Sequence, residues 1–395
     1  MTFAPSRATG WCLLYIGINA LIVVKRALQP AGLPAAAVAA CCAAAAVLVA
    51  LTCWPSGVAR VRQAIGRTTP GALLALVATV TLLLAWAQSR IDPLALQVDR
   101  WSAIHNFLER LTDGAYPYAA RTHLGGYGSP FPVWQLAHWP LYALFRNVGL
   151  SSLVAQALFV HSVYRFRGKE TATVAALLLY ASPAFLYEVM VRSDLTANFL
   201  VCATVMNYLC AAHFAPARHP AATGLISGLL LSSRWSVALP LGVLLFIPFV
   251  RMRPRAKAVF LVTAAATFTA SFLPFLCWDS EMLLFFEYNP FVLQTRQGNA
   301  ADLLLLVPLA LFLGWRAGGD GRRAASAAAV LLTATVAVSF LHDMFVRNDW
   351  SEIFHGAYDI TYFHMALPFC ILTLADRLTE QARPSGPQAP KTIAL

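Results

Sequence analysis

Carboxylates gather in the segment 89–149, which follows the third apolar run of the chain. Its acids include Asp92, Asp99 and Asp113, and the glycine- and proline-dense stretch 123–132 follows them. A carboxylate can take a proton from a hydroxyl group during catalysis. A loop of this length in a compact chain is more often functional than idle. The segment therefore predicts a shaped loop that carries a reactive carboxylate.

Two further groups of charged residues stand out because apolar runs surround them. Glu188, Arg192 and Asp194 lie at the junction of two such runs, and Arg234 lies within a third apolar stretch. Ionisable groups in a membrane are costly unless they are paired or hydrated. An arginine there favours an anion, and a lipid phosphate is a natural candidate. The alternatives are a solvated turn with an Arg192–Asp194 pair, and an Arg234 side chain that reaches the headgroups.

These residues are predicted to be positioned by membrane helices. Hydrophobic residues make up 59% of the 395 residues and charged residues only 12%. The runs 35–54, 71–88, 258–277 and 324–341 contain no charge, and a helix needs about 20 residues to cross the hydrocarbon core. The strict alternation typical of membrane β-barrels is missing. The chain is therefore predicted to be an all-α integral membrane protein.

We predict about twelve transmembrane helices and an interfacial, amphipathic first outer loop. The apolar residues from Pro93 to Leu111 recur at helical spacing, which predicts a helix on the membrane surface with Trp101 at the headgroups. Prolines and charges interrupt 131–149, so this segment is predicted to lie at the interface. The predicted spans are 8–24, 35–54, 71–88, 150–165, 171–188, 195–213, 222–233, 236–250, 258–277, 302–316, 324–341 and 360–376.

The charge distribution predicts the orientation. With the N- and C-termini cytoplasmic, 18 of the 29 basic residues lie in inside loops, and 14 of the 18 acidic residues lie outside. This arrangement follows the positive-inside rule. The net charge of +11 thus indicates loops beside anionic lipid and not a nucleic-acid partner. The Ala- and Arg-rich composition favours a bacterial inner membrane.

The order and sidedness of these features resemble the GT-C superfamily of membrane glycosyltransferases. An acid follows an early span, the outer loop ends in Tyr116-Pro117-Tyr118 and Pro130-Phe131-Pro132, and Arg192-Ser193-Asp194-Leu195 lies at a later outer junction. The stretch 223–240 is similar to that superfamily's glycine-containing short helix, basic turn and Leu-Pro. The resemblance covers roughly residues 71–280.

The resemblance implies transfer of a sugar from a polyprenyl-phosphate or polyprenyl-diphosphate carrier to a glycan, lipid or protein acceptor at the outer face. It implies Asp99 as the general base, with Asp92 or Asp113 as alternatives, and inversion at the anomeric carbon. Asp194 or Glu188 would orient hydroxyl groups. The remaining substrate-binding residues would be Arg192, Arg234, Arg296, Arg347, Tyr118, His123 and Tyr127.

The chain also departs from the superfamily. Two predicted spans precede the one that would be the superfamily's first, and Asp99 is followed by Arg100 where some branches carry a second acid. This sequence fits the metal-dependent, protein-glycosylating branches less well. We therefore assign no metal ligands and no cofactor, and keep a divalent metal as an open alternative.

The predicted organisation has four parts. Residues 1–70 contain two N-terminal helices and a cytoplasmic loop, and residues 71–280 form the GT-C-like core with the outer loop 89–149. Residues 281–376 supply C-terminal helices with outer loops, and 377–395 form a disordered cytoplasmic tail.

Two other functions stay open. An O-antigen polymerase or ligase also uses many spans, outer arginines and lipid-linked sugars, although its large outer loop usually comes late in the chain. A transporter or flippase would place charges near the middle of the membrane and show internal repeats. The sequence has no convincing repeat, and its charges lie at one face.

Overall fold

The computed structural model describes residues 8–28, 34–53, 63–210, 216–285, 289–296, 298–348, 350 and 359–380. Within these ranges the regular structure is helical, apart from one isolated β-bridge between Arg121 and Tyr127. Most of the predicted tail lies outside the described residues, and its first four residues end a helix. The α-helices are α1 (Thr9–Ala27), α2 (Ala35–Cys53), α3 (Pro70–Ser89), α4 (Arg100–Thr112), α5 (Pro132–Ala137), α6 (Trp139–Phe145), α7 (Ser151–Arg167), α8 (Lys169–Tyr180), α9 (Pro183–Met190), α10 (Leu195–Leu209), α11 (Pro220–Leu231), α12 (Ala238–Arg251), α13 (Pro254–Phe285), α14 (Pro290–Thr295), α15 (Leu303–Ala317), α16 (Gly321–Arg347) and α17 (Leu367–Glu380).

Six stretches of the described chain are long and apolar enough to cross a membrane: α1, α2, α3, α13, α16, and α15 together with the turn before it. The number rises to eight if two bent helix pairs, α5–α6 with α7 and α8 with α9, each count as one span. The chain is therefore a multi-pass membrane protein by the length and composition of its helices, and the prediction of twelve spans is not confirmed.

The difference in the count arises from short helices. The predicted spans at 195–213, 222–233 and 236–250 form helices of 15, 12 and 14 residues, whereas a perpendicular span needs about 20. The predicted span at 360–376 begins as the 3-10 helix Ile360–Ala366 before α17. The breaks between these short helices contain polar residues that are available to a functional site.

The helix in the first outer loop differs from its prediction. Pro93–Ala95 forms a separate 3-10 turn, and α4 begins at Arg100 with Asp99 in the N-cap position. Trp101 is only 8% exposed and packs against the rings of His105 and His123. The prediction that Trp101 lies at the headgroups was therefore wrong, because this face of α4 is covered by the loop that follows it.

Helix α17 lies at the centre of the bundle. It packs against α1, α8, α10 and α16, and its residues from Leu367 to Ala375 are buried. At its C-terminal end Asp376 forms an ion pair with Arg167 of α7, and Arg167 also donates to Asn207 of α10. These contacts connect the C-terminal helix to the middle of the chain.

The two ends of α16 belong to two separate polar regions. Arg322 at its N-terminal end forms an ion pair with Glu380. His342 near its C-terminal end lines a polar cavity. A helix rises about 1.5 Å per residue, so the positions 322 and 342 are about 30 Å apart. This distance matches the thickness of the hydrocarbon core, also about 30 Å.

Helices α11 and α13 pack at close range because α11 carries glycine at the contact. A Cβ atom on Gly228 would lie 2.5 Å from the backbone oxygen of Ala264 and 2.7 Å from the Thr267 Cβ. Small residues allow this approach of helix backbones in membranes. The packing fixes α11 and therefore the residues that follow it, including Arg234.

Replacing Gly228 with alanine is expected to destabilise the protein by about 1–3 kcal/mol, the usual cost of overpacking. Gly242 of α12 is a matched control, because a Cβ atom there meets nothing within 4 Å, and alanine favours a helix by about 1 kcal/mol over glycine. Thermal unfolding of both variants in the same detergent measures the difference. Equal stability of the two variants would contradict the close packing.

Candidate active site

A polar cavity of about 490 Å³ opens where several helices begin or end. Asp99 and Asp194 precede α4 and α10, Arg234 lies in the break between α11 and α12, and Arg296 follows α14. The charged and aromatic residues that line it are Asp99, Arg100, Tyr127, Asp194, Arg234, Arg296, His342, Asp343, Arg347, Asp359 and Tyr362.

A buried ion pair forms one wall of the cavity. A terminal nitrogen of Arg234 lies 2.6 Å from Oδ2 of Asp194, and Trp134 Nε1 donates to the same oxygen at 2.7 Å. Asp194 is 2% exposed and Arg234 is 5% exposed. The predicted alternatives, an Arg192–Asp194 pair and a snorkelling Arg234, are therefore wrong, because these two side chains neutralise each other in the interior.

The charge state of this pair follows from its contacts. Burial acts to raise the pKa of the Asp194 carboxyl, but the charge and hydrogen bond of Arg234, together with Arg100 and His138, hold that pKa below its usual range. Asp194 therefore stays ionised at neutral pH. A carboxylate in this state is suited to orient hydroxyl groups and to hold a cation, and is a weak proton acceptor.

Each partner of the ion pair keeps an unused polar atom. Oδ1 of Asp194 and Nε of Arg234 are buried and have no hydrogen-bond partner among the described residues. Buried polar atoms are normally satisfied, and both side chains line the cavity. A polar ligand in the cavity can supply the missing partners.

Asp99 is a carboxylate of a different kind. Its Oδ2 accepts a hydrogen bond from Thr122 Oγ1 at 2.8 Å, and within the described ranges it meets no Lys, Arg or His within ion-pair distance. It is half-buried in the N-cap position of α4, where its side chain makes no capping bond. Asp99 is therefore held in place while its charge is left unpaired, as a proton acceptor requires.

Arg100 lines the cavity and connects its own segment to residues 188–193 and to Asp359. Its guanidinium lies 2.5 Å from Oδ2 of Asp359 and 3.7 Å from Oε1 of Glu188, and it donates to Ser193 Oγ at 3.1 Å. Glu188 in turn lies 3.0 Å from Nδ1 of His364. Burial acts to raise the pKa of Asp359, but Arg100 and the hydrogen bonds from Thr361 together lower it below the usual range. Arg100 is thus fully engaged and serves to position its neighbours.

The cavity unites six of the ten residues that the sequence singles out: Asp99, Tyr127, Asp194, Arg234, Arg296 and Arg347. Glu188 does not line it and contacts it through Arg100. The other carboxylates considered as the base lie apart from it. Asp92 accepts from the backbone nitrogen of Leu94, and Asp113 ends α4.

Three predicted binding residues have structural roles instead. Arg192 donates to the backbone oxygens of Gln88 and Ile91, and Tyr118 is buried against the rings of Phe107 and Phe275. His123 bonds through one ring nitrogen to Ser102 Oγ and through the other to the Leu96 oxygen. None of the three lines the cavity, so the structure does not support the prediction that they bind substrate there.

The sequence did not single out several residues of the site, among them Trp134, Asp359, Tyr362 and His364. Trp134, Asp359 and His364 bond to residues 60, 259 and 176 positions away in the chain, and no local pattern marks such pairs. Tyr362, which lies under the Arg100 guanidinium, has the same long-range character. The position of Tyr362 at the start of the predicted span 360–376 is the one sequence feature that could have drawn attention to this residue.

Within the described ranges, no group of three or more His, Cys, Asp or Glu side chains is placed to hold a metal ion. Comparison with known protein families, with curated proteins and with solved structures finds no match for this chain. The function must therefore be argued from the site itself.

Proposed function

We propose that this chain transfers a sugar from a polyprenyl-phosphate or polyprenyl-diphosphate carrier to the hydroxyl group of an acceptor. The observation that carries the proposal is the cavity, in which the unpaired Asp99 faces the same space as Arg234, Arg296 and Arg347. A carboxylate and several guanidinium groups are what a phosphate-linked sugar and an acceptor hydroxyl require.

The proposed reaction is a single displacement. The acceptor oxygen attacks the anomeric carbon while its proton passes to Asp99. The bond between that carbon and the phosphate oxygen breaks, and its electron pair leaves with the phosphate. No residue attacks the sugar, so the product has the inverted configuration. Asp194 orients hydroxyl groups through its unused Oδ1, and the arginines stabilise the charge that develops on the phosphate.

The surroundings of the cavity support a lipid-linked donor. Leu293 and Val346 line it, and the Val346 side chain is 68% exposed. Leu303 and Leu304 at the start of α15 are also exposed, and they follow Asn299, which lines the cavity. An apolar tail can therefore leave the cavity between helices while its phosphate stays with the arginines.

The finer predictions of topology belong to this proposal. A GT-C-like arrangement with about twelve spans, cytoplasmic termini and the cavity on the periplasmic face of a bacterial inner membrane is supported by the asymmetry of charged residues in the sequence. The acceptor would then be a glycan, lipid or protein of the cell envelope.

The proposal is tested with membrane vesicles that contain the protein and a panel of polyprenyl-phosphate donors carrying radiolabelled hexoses or pentoses. We expect protein-dependent transfer of label from at least one donor to a new product. A polyprenol without phosphate should neither bind nor compete, whereas a phospholipid of equal charge controls for simple attraction between ions. Absence of both binding and transfer across the panel would reject the proposal.

A further inference from the structure

Asp302 and His342 form a side-chain pair that the proposed displacement does not use. Nδ1 of His342 lies 2.7 Å from Oδ1 of Asp302, and Ser339 Oγ donates to Oδ2 at 3.2 Å. Asp302 is 5% exposed, whereas His342 is partly exposed and lines the cavity. The acid therefore lies behind the imidazole, which faces the space where a ligand would bind.

The neighbours of the ring determine which nitrogen can change its proton. A carboxylate only accepts hydrogen bonds, so Nδ1 carries a hydrogen whether the ring is neutral or charged. Asn299 uses its Oδ1 to accept from the backbone nitrogen of Ala301 at 2.9 Å, which leaves its amide nitrogen 3.3 Å from Nε2 of His342. In the neutral ring Nε2 thus accepts from the Asn299 amide. The second proton must add at Nε2, which requires that the exposed Asn299 side chain turns away and leaves this position to the phosphate.

The charged groups around the ring include one arginine that no described acid pairs with. Arg347 lies on the same helix, where it forms an ion pair with Asp343, and Arg296 lines the same cavity without an ion pair in the described part of the chain. Within that part, His342 is the one basic group within 4.0 Å of Asp302. The other charged groups lining the cavity are Asp99, Arg100, Asp194, Arg234 and Asp359.

We propose that His342 is a further phosphate ligand of this cavity and that it takes up a proton at Nε2 when the phosphate binds. The identity of the phosphate as that of a lipid-linked donor rests on the proposed function. A protonated Nε2 donates a charge-assisted hydrogen bond to a phosphate oxygen, and the buried Asp302 balances the charge of the ring. A neutral Nε2 presents a lone pair to that oxygen and repels it.

This coupling makes the affinity depend on pH in a defined direction. Affinity is highest when the ring is charged and falls as pH rises and the ring loses its proton. A phosphate monoester would obscure the effect, because its own second ionisation near pH 6 increases its charge over the same range. A phosphodiester keeps one constant charge and reports the protein alone.

The test measures binding of the methyl ester of undecaprenyl phosphate to the full-length protein in nanodiscs from about pH 5.5 to about pH 8.5. Wild-type affinity is expected to fall about five- to tenfold across this range, the worth of one exposed charge-assisted hydrogen bond. The variant His342→Gln should bind with the weak, high-pH affinity at every pH. The variant Asp302→Asn keeps an acceptor for Nδ1 but removes the charge, so its loss of affinity should begin at lower pH.

Arg347→Gln is the matched control, because an arginine stays charged over this range. It should bind more weakly at every pH and still lose affinity as pH rises. Thermal unfolding of each variant confirms that it folds. A pH dependence that persists in His342→Gln would overturn this proposal alone, whereas failure of the wild-type protein to bind the probe at any pH would overturn the proposed function as well.

Discussion

Replacement of Asp99 by asparagine is expected to lower the rate of sugar transfer about 10²- to 10⁴-fold, the usual contribution of a general base. Asparagine keeps the shape of the side chain and can still accept the hydrogen bond of Thr122, which is 2.8 Å long in the wild-type protein. It cannot take a proton from the acceptor. Donor binding should therefore stay within a few-fold of wild type, because Asp99 contacts no arginine of the described ranges at ion-pair distance.

The matched controls are Asp92→Asn and Asp113→Asn, which alter the two other aspartates of the same loop. Both lie away from the cavity, so both variants should transfer sugar at close to the wild-type rate. Transfer is measured with saturating donor, so that a change in affinity is not mistaken for a change in chemistry. Near-normal turnover of Asp99→Asn would remove Asp99 from the mechanism, and loss of activity in Asp113→Asn would assign the base elsewhere.

Replacement of Arg234 by glutamine is expected to have two effects that can be separated. It leaves Asp194 as a buried carboxylate with Trp134 as its remaining donor, which should cost about 3–5 kcal/mol in the free energy of unfolding. It also removes a guanidinium from the cavity, which should weaken binding of a phosphate-linked donor about 10- to 100-fold. Thermal unfolding measures the first effect, and donor titration of the folded protein measures the second.

The double variant Asp194→Asn with Arg234→Gln distinguishes these effects. Removing both charges relieves the unpaired carboxylate, and the new amide oxygen at position 194 would still accept from Trp134, so most of the lost stability should return. Donor affinity should stay low, because the cation is still missing. Arg192→Gln is the matched arginine control, since Arg192 bonds to backbone oxygens and does not line the cavity. Normal donor affinity in the double variant would rule out Arg234 as a phosphate ligand.

Much of the membrane architecture could be predicted from the sequence, since a charge-free run of about 20 residues has few stable alternatives to a spanning helix. Helices α2, α3, α13 and α16 coincide with such runs. The count of twelve spans is not confirmed where the helices are short or bent. The break at Arg234 was predicted, since the predicted spans 222–233 and 236–250 meet there, and α11 ends at Leu231 and α12 begins at Ala238. Apolar composition alone does not reveal that Lys169–Tyr180 and Pro183–Met190 bend by 64°.

The sequence predicted those residues of the site that are charged and lie next to apolar runs. Asp194 and Arg234 attract attention because a charge next to long apolar runs needs a partner, and the structure pairs them with each other. What the sequence did not reveal is which partner each residue takes. Arg192 stands two positions from Asp194 but turns to the backbone of α3, and Glu188 pairs with His364 from the far end of the chain.

The most direct test of the proposed function is a density map of the protein with a bound polyprenyl-phosphate-linked sugar. Density for the phosphate should contact Arg234 and lie close to Arg296 and His342, with the anomeric carbon facing Asp99 and the lipid tail passing Val346. Phosphate density outside this cavity, for instance at the apolar groove between α1, α2 and α8, would contradict the assignment of the active site.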